Sequence, residues 1–355
     1  MISKGDGNMK KLAKALFTII CILLIGLILL YVFFGGQVRT VASVKKVDDG
    51  IYQAKYSADY KLDDLLQADV GSIDEFMSWI SDNMFFGLPL DAVYSRFACT
   101  AFIAQNPDGD YIMGRNYDYV KTDTMLVYSS PEEGYESIAV SDLHLMGVGS
   151  LPITSADGPY GKLVSLVSPY TITEGVNEKG LGVAILELKD KEIHQDNGKP
   201  DVLLFVAVRM LLDKAANVDE AVKMLGDYDI HTFFNSSFHL FISDSSGDSA
   251  VVEWIDGKIN VLDAKYVTNF QLSKGEGYGK GAGQARYETV EKNFDETGGI
   301  LTEEEAMFLL RDARIDWNGK WGTQWSVVTN LKNFSMDVCL DNNFEKVYSF
   351  SKESF

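Results

Sequence analysis

A chain of 355 residues with 46% apolar and 12% aromatic content can bury a large core, and roughly 250 residues is a common ceiling for one such core, so one catalytic unit with an N-terminal appendage accounts for the length. The formal net charge of −19 excludes nucleic acid as a partner, because phosphates call for a basic surface, and argues against the globular part binding an acidic membrane face. Three cysteines cannot make a disulfide scaffold, and the four histidines (His144, His194, His231, His239) are scattered without metal-ligand spacing, so neither metal nor cofactor is expected.

Residues 15–34 are uncharged and mostly apolar, the length that spans a bilayer as a helix. Lys10, Lys11 and Lys14 precede the run, and Arg39, Lys45 and Lys46 follow it. A cleaved secretory signal has an apolar core of about 7–15 residues, so this run reads instead as a single-pass membrane anchor, with the rest of the chain outside the cytoplasm. Residues 1–36 are thus tail and anchor. Residues 37–98 read as a pro-segment, polar and acidic over 57–67 and then helical, with Ile73, Phe76, Met77 and Ile80 at 3–4 spacing. Such a stripe ordinarily covers a core; a lipid-facing surface beside the apolar 84–88 stretch is the alternative.

From residue 99 to 355 the pattern is that of the catalytic unit, and it is strand-rich. Strands are expected over 100–105 and 111–116, joined by the turn Asn106-Pro107-Asp108-Gly109, then over 126–128, 138–140 and 182–188. Helices follow over 201–213 and 218–225. A second strand group covers 238–243, 250–254, 258–261 and 265–268. Two more helices, 284–294 and 303–311, the latter capped by Thr302, precede strands at 325–329, 336–340 and 346–350. This alternation predicts an α+β fold of antiparallel sheets with helices outside.

The chemistry centres on Cys99. Arg115 and Asp118 follow on the next expected strand. A cysteine attacks only as thiolate, so it needs nearby positive charge and a base. If the Ala98–Cys99 bond were cut, the new α-amine, with an ordinary pKa of about 7.7–8.0, would supply that base. Taken singly, these residues have plain explanations. A lone cysteine among apolar neighbours is ordinarily a small buried hydrophobe, and an Arg and an Asp three apart are ordinarily a surface ion pair. Cys21 and Cys339 fit that plain reading, although a Cys99–Cys339 bridge is possible on counting alone. Together, Cys99, Arg115 and Asp118 read as a self-processing amide hydrolase.

Cys99-Thr100, Arg115 and Asp118, followed in order by Glu174-Gly175-Val176-Asn177-Glu178-Lys179-Gly180-Leu181-Gly182, Val267-Thr268-Asn269 and Ala285-Arg286-Tyr287, resemble the choloylglycine hydrolase family of N-terminal-nucleophile (Ntn) cysteine hydrolases. The likeness runs from Cys99 to Phe350. It implies a four-layer αββα Ntn-hydrolase sandwich and a small-molecule amide substrate. It also implies roles: Cys99 as nucleophile, Asp118 holding its amine, Arg115 favouring the thiolate and fixing Asp118, Asn269 as oxyanion donor, and Arg286 organising the site. Asn177 reads as structural.

Glu187 falls at the position that is Asn in the bile salt hydrolases and Tyr in the penicillin V acylases. An acidic residue there, like the long segment before the cysteine, resembles the ceramidase and acid amidase branch. An ionised Glu would repel a developing oxyanion, so Glu187 is expected to be protonated or engaged elsewhere, with acidic working conditions. The expected substrate is an N-acyl amide with a long acyl chain. A bile-salt or penicillin-type acylase is the second reading, and an inactive membrane-held binding protein the third.

Overall fold

A computed structural model of the chain describes residues 5–85, 87–148 and 151–355; the side chains of residues 5–10, 12, 27–31, 33 and 151–152, and Phe86 in the 84–88 stretch, lie outside the description. Successive side chains of a strand point to opposite faces, so the strand Ala98–Gln105 feeds two cores at once. Cys99, Ala101 and Ile103 enter the larger apolar core, while Phe102 and Ala104 enter a smaller one with the helix residues Val290, Ala306 and Leu310. Gly114 on the adjacent strand makes room for the Phe102 ring, which a Cβ there would meet at 2.3 Å.

Two sheets carry the fold. One has six strands in the order Tyr266–Val267, Ala98–Gln105, Tyr111–Val120, Trp321–Asn330, Ser335–Leu340 and Tyr348–Phe350. The other has nine, running from Lys45–Asp48 at one edge through Ile172–Asn177 and Gly182–Leu188 to Lys258–Asp263. Residues of both sheets share the larger core. The helix Leu204–Lys214, buried on nearly all sides, packs on the nine-stranded sheet. The helices Gln284–Thr297 and Glu303–Asp312 pack on the six-stranded one. Thr302 caps the last of these, its hydroxyl accepting the Glu305 N–H at 3.2 Å. The layers are therefore αββα, as the resemblance implied.

The segment 37–98 is woven into this frame. Ile51–Tyr56 pairs in parallel with Thr124–Ser129, and Ile51, Tyr52, Ala54 and Tyr56 are buried. The helix Ile73–Met84 opens on a capping box of Ser72 and Glu75 and buries Phe76, Met77, Ile80 and Met84 against the core. Asp201–Leu203, expected as the first turn of a helix, is instead a short strand parallel to Asp229–His231, and the helix begins at Leu204.

Residues 15–34 lie within the helix Gly5–Ser43, whose last turns dock on the Ile51–Tyr56 strand through Ser43, bonded to Lys55, and on the chain just after it through Thr40, which accepts the Ser57 and Ala58 N–H groups. Leu16, Phe17, Ile19, Ile20 and Ile22 through Ile25 are all exposed. Among the described residues no helix is long and apolar enough to cross a membrane. The expected membrane-spanning anchor is therefore not borne out by the described residues.

Candidate active site

Cys99 sits one residue into its strand, and the pairing Ala98↔Asp118 and Cys99↔Tyr117 holds the bond ahead of it in the sheet. Its side chain is fully buried. Burial pushes the thiol up to about 12, against the pull of the Arg115 guanidinium. In the intact chain this sulfur is capped and protonated, the opposite of a working thiolate. Phe97, which packs against Tyr117 and Phe238, helps to close it off.

Arg115 reaches the sulfur, with Nη2 3.2 Å from Cys99 Sγ and 3.0 Å from the Ile185 carbonyl. Its counter-ion is Glu174, not Asp118. Glu174 Oε2 lies 2.7 Å from Arg115 Nη1, and both side chains are fully buried. Glu174 Oε1 accepts the indole N–H of Trp325 at 2.8 Å. Burial raises the Glu174 carboxyl and the Arg115 charge offsets it. The sequence analysis gave Glu174 no role, because it lies in the 174–182 motif named only for the resemblance; the segment Ile172–Asn177 is strand.

Asp118 is held from the other side. Its Oδ1 accepts the Thr323 hydroxyl at 2.5 Å, and its Oδ2 lies 3.3 Å from Arg286 Nη1. Arg286 is the hub. Its Nη1 donates to the Cys99 carbonyl and, at 2.9 Å, to Thr100 Oγ1, while its Nη2 donates to Asn269 Oδ1 at 2.7 Å. Gly283, with φ +93, begins this helix in the left-handed region, and a Cβ there would stand 2.7 Å from Arg286 Nη2. Only glycine fits both demands.

Asn269 is oriented without ambiguity. Its Oδ1 accepts the Cys99 N–H at 2.7 Å, and its Nδ2 donates to the Glu187 carbonyl at 2.6 Å. In the intact chain it therefore grips the nitrogen that cleavage would turn into the α-amine, and its donor faces away from the sulfur.

Behind Asn269, His239 Nδ1 donates to the Thr268 carbonyl at 3.2 Å, and Glu253 accepts the N–H groups of Leu272 and Ser273 at 2.6 and 2.8 Å. His239 Nε2 stands 3.0 Å from Glu253. Burial works against the Glu253 carboxylate, but these partners win and bring it down to about 2. Its stabilising effect is therefore present above the ordinary pKa of 4.5 and lost as the pH falls towards 2. Comparing urea denaturation of wild type and Glu253→Gln should give a difference of about 3 kcal/mol at pH 7 that shrinks steadily below pH 4.5. A difference independent of pH would contradict this account.

Glu187 does not face the sulfur. Its Oε2 accepts the Phe97 N–H at 2.6 Å, its Oε1 accepts the Ser236 hydroxyl at 2.9 Å, and Arg96 Nη1 lies 3.6 Å away. Burial raises its pKa and the Phe97 N–H lowers it. Two residues before Cys99, then, a carboxylate anchors the chain. Charge-assisted hydrogen bonds contribute about 1.5–3 kcal/mol. Glu187→Gln should accordingly slow cleavage of the Ala98–Cys99 bond by about tenfold or more, read as the time course of fragment formation on a denaturing gel. Wild-type kinetics would sink the assignment.

Cys21, Cys99 and Cys339 are all free thiols. Asn177 is structural, its Nδ2 donating to the carbonyls of Leu212 and Ala215.

The segment that holds this site is similar to known proteins. Residues 99–271 match the family described as linear amide C–N hydrolases, choloylglycine hydrolase family. Over 191 residues the chain is 32% identical to penicillin V acylase of Pectobacterium atrosepticum, an alignment covering 49% of this chain and 48% of that protein. It is 25% identical over 174 residues to the bile salt hydrolase/transferase of Clostridium perfringens, covering 46% of this chain and 50% of that one. The chain spans about half the length of the curated relatives it matches. In fold it is similar to crystal structures of two mutants of the conjugated bile acid hydrolase of Clostridium perfringens. A cysteine-to-alanine form gives a TM-score of 0.54 at 16% identity, over 72% of this chain and 93% of that one. An arginine variant gives 0.52 at the same identity and coverage. That likeness speaks for the Ntn-hydrolase fold alone. The segment that carries Cys99, Arg115, Asp118 and Asn269 is thus similar to the choloylglycine hydrolase family of linear amide C–N hydrolases, over just under half of the chain.

Proposed function

We propose that this protein is a linear-amide hydrolase that makes its own nucleophile. The Cys99 thiol attacks the Ala98 carbonyl carbon, the acyl group passes from nitrogen to sulfur, and water then cleaves the thioester. The Ala98 carboxylate leaves, and Cys99 keeps its thiol and gains a free α-amine. That amine takes the thiol proton in each later turnover and returns it to the leaving amine. Arg115 steadies the thiolate, Asn269 Oδ1 and Asp118 orient the amine, and Arg286 holds both in register.

The observation that carries this reading is the junction itself. Cys99 Sγ lies 3.2 Å from a buried guanidinium while its backbone nitrogen is already seated on Asn269 at 2.7 Å. A merely structural cysteine has no use for both.

The acyl group of the substrate is apolar. A small apolar cleft of about 30 Å³ is lined by Ile73, Phe76, Val93, Leu145, Phe205 and Phe233. Its wall at Ala92 and Val93 is the chain that runs on to Cys99. Withdrawal of that stretch after cleavage extends the cleft towards the sulfur, which supports an amide with a bulky or long acyl part. Penicillin V, a glycine-conjugated bile acid and a long-chain N-acylethanolamine sample that class. Incubating the processed enzyme with each and assaying acid release should give turnover of at least one. Hydrolysis by a preparation whose Ala98–Cys99 bond is intact would overturn the mechanism. A fully processed chain inert towards all three would overturn the substrate class, and an unprocessed chain without a reactive thiol would favour the inactive binding protein.

The exposed apolar side chains of Leu16, Phe17, Ile19, Ile20 and Ile22 through Ile25 support placing the enzyme at a membrane.

A further inference from the structure

The histidines that look scattered in the sequence are not all scattered in space. His194, from the loop after the Gly182–Leu188 strand, lies against His231 with ring centroids 4.3 Å apart. His231 ends the strand Asp229–His231, and Asp229 begins it. The donor atoms of His194, Asp229 and His231 all lie within 4.8 Å of one another. Donors about 2 Å from one ion stand at most about 4 Å apart, so a closing movement of up to about 1 Å brings these three onto a shared ion.

A second observation points the same way. Two carboxylates converge on one imidazole nitrogen: His231 Nε2 is 3.0 Å from Asp201 Oδ1 and 3.4 Å from Asp229 Oδ1. One ring nitrogen carries at most one hydrogen, so the two carboxylate oxygens crowd a single donor position. A cation among these atoms relieves that contact and balances both negative charges. Asp229 is also held in one orientation by the backbone around it, as metal-binding carboxylates are. Its Oδ1 accepts the Gln195 N–H at 3.0 Å and its Oδ2 the Asn197 N–H at 2.9 Å.

We propose that His194, Asp229 and His231, with Asp201 beside them, form a binding site for a divalent transition-metal cation. Two imidazoles with carboxylate oxygen suit Zn²⁺ or Co²⁺ and ill suit the all-oxygen preference of Mg²⁺ and Ca²⁺. The site has a structural consequence. It clips the 189–200 loop to the strand Asp229–His231, whose continuation carries Phe234, stacked on Tyr94 at 4.6 Å, and Ser236, donor to Glu187. A bound ion thus stiffens the wall of the apolar cleft without touching Cys99. The proposal stands apart from the hydrolase reading, since its ligands serve whether or not the thiol reacts.

The test uses the full-length Cys99→Ala protein, stripped of metal and titrated with Co²⁺ and then Zn²⁺. One equivalent of Co²⁺ should give the visible absorption of a four- or five-coordinate ion, lack sulfur charge-transfer bands, and be displaced by Zn²⁺. Zn²⁺ should raise the melting temperature. His194 is exposed, so His194→Ala should fold normally and bind at least about tenfold more weakly, with the thermal shift lost. Equal binding by wild type and His194→Ala, sulfur bands in the Co²⁺ spectrum, or no binding at all would each overturn the proposal.

Discussion

Cys99→Ala is expected to remain a single full-length chain and to lose amide hydrolysis by on the order of 10⁴-fold or more, the scale seen when a covalent nucleophile is removed. Intact mass reads the first outcome and acid release the second. The substitution deletes one buried sulfur beside Arg115 and leaves the strand pairing alone, so folding should survive. Cys99→Ser keeps a nucleophilic oxygen and should process slowly, yet hydrolyse little, because a hydroxyl is far harder to ionise than a thiol. Cys339 is the control. It lies buried between the six-stranded sheet and the outer helices, remote from this chemistry, and Cys339→Ser should leave processing and turnover nearly unchanged. Equal damage from both cysteines would assign the thiols a structural role. In wild type the two fragments should co-purify after cleavage and separate only in denaturant. Residues 45–56 supply two strands of the nine-stranded sheet, and a broken backbone bond at residue 98 removes none of those contacts.

Glu174→Ala should cost about 3–5 kcal/mol of stability, the usual penalty for removing one member of a buried ion pair. Arg115 would be left fully buried without its ion-pair partner, and the Trp325 indole would lose its acceptor. Urea denaturation measures the loss. Glu174→Gln separates charge from shape: it keeps the acceptor and the volume and removes the countercharge. If Glu174 tempers the guanidinium, the Gln variant, once processed, should ionise its thiol at lower pH than wild type, read from the pH dependence of alkylation. A stability change below about 1 kcal/mol in the Ala variant would show that the pair is not the constraint described here.

The individual strands and helices were largely legible in the sequence, whereas their stacking in four layers was implied only by the family resemblance. Expected elements at 182–188 and 218–225 coincide with those observed, and most others differ only at their ends. These segments carry strong apolar periodicity or clear caps, and such local signals survive folding. The strands Ile51–Tyr56 and Ile172–Asn177 went unread. The first interleaves Gln and Lys with its apolar residues, and the second contains Thr, Glu, Gly and Asn; both are strands because neighbouring strands pair with them.

The site divides in the same way. Residue spacing singled out Cys99, Arg115 and Asp118, the family resemblance added Asn269 and Arg286, and these five side chains lie together in one hydrogen-bonded group. Residue type and spacing were enough for the first three, because a nucleophile beside a cation and a carboxylate is chemically distinctive; the last two were implied only by the resemblance. Partnership was not written there. That Arg115 pairs with Glu174, that Glu187 grips the Phe97 backbone, and that His194 meets His231 depend on contacts between residues 37 to 90 positions apart. Only the stacking of the two sheets and the return of the 189–200 loop bring those groups within bonding distance.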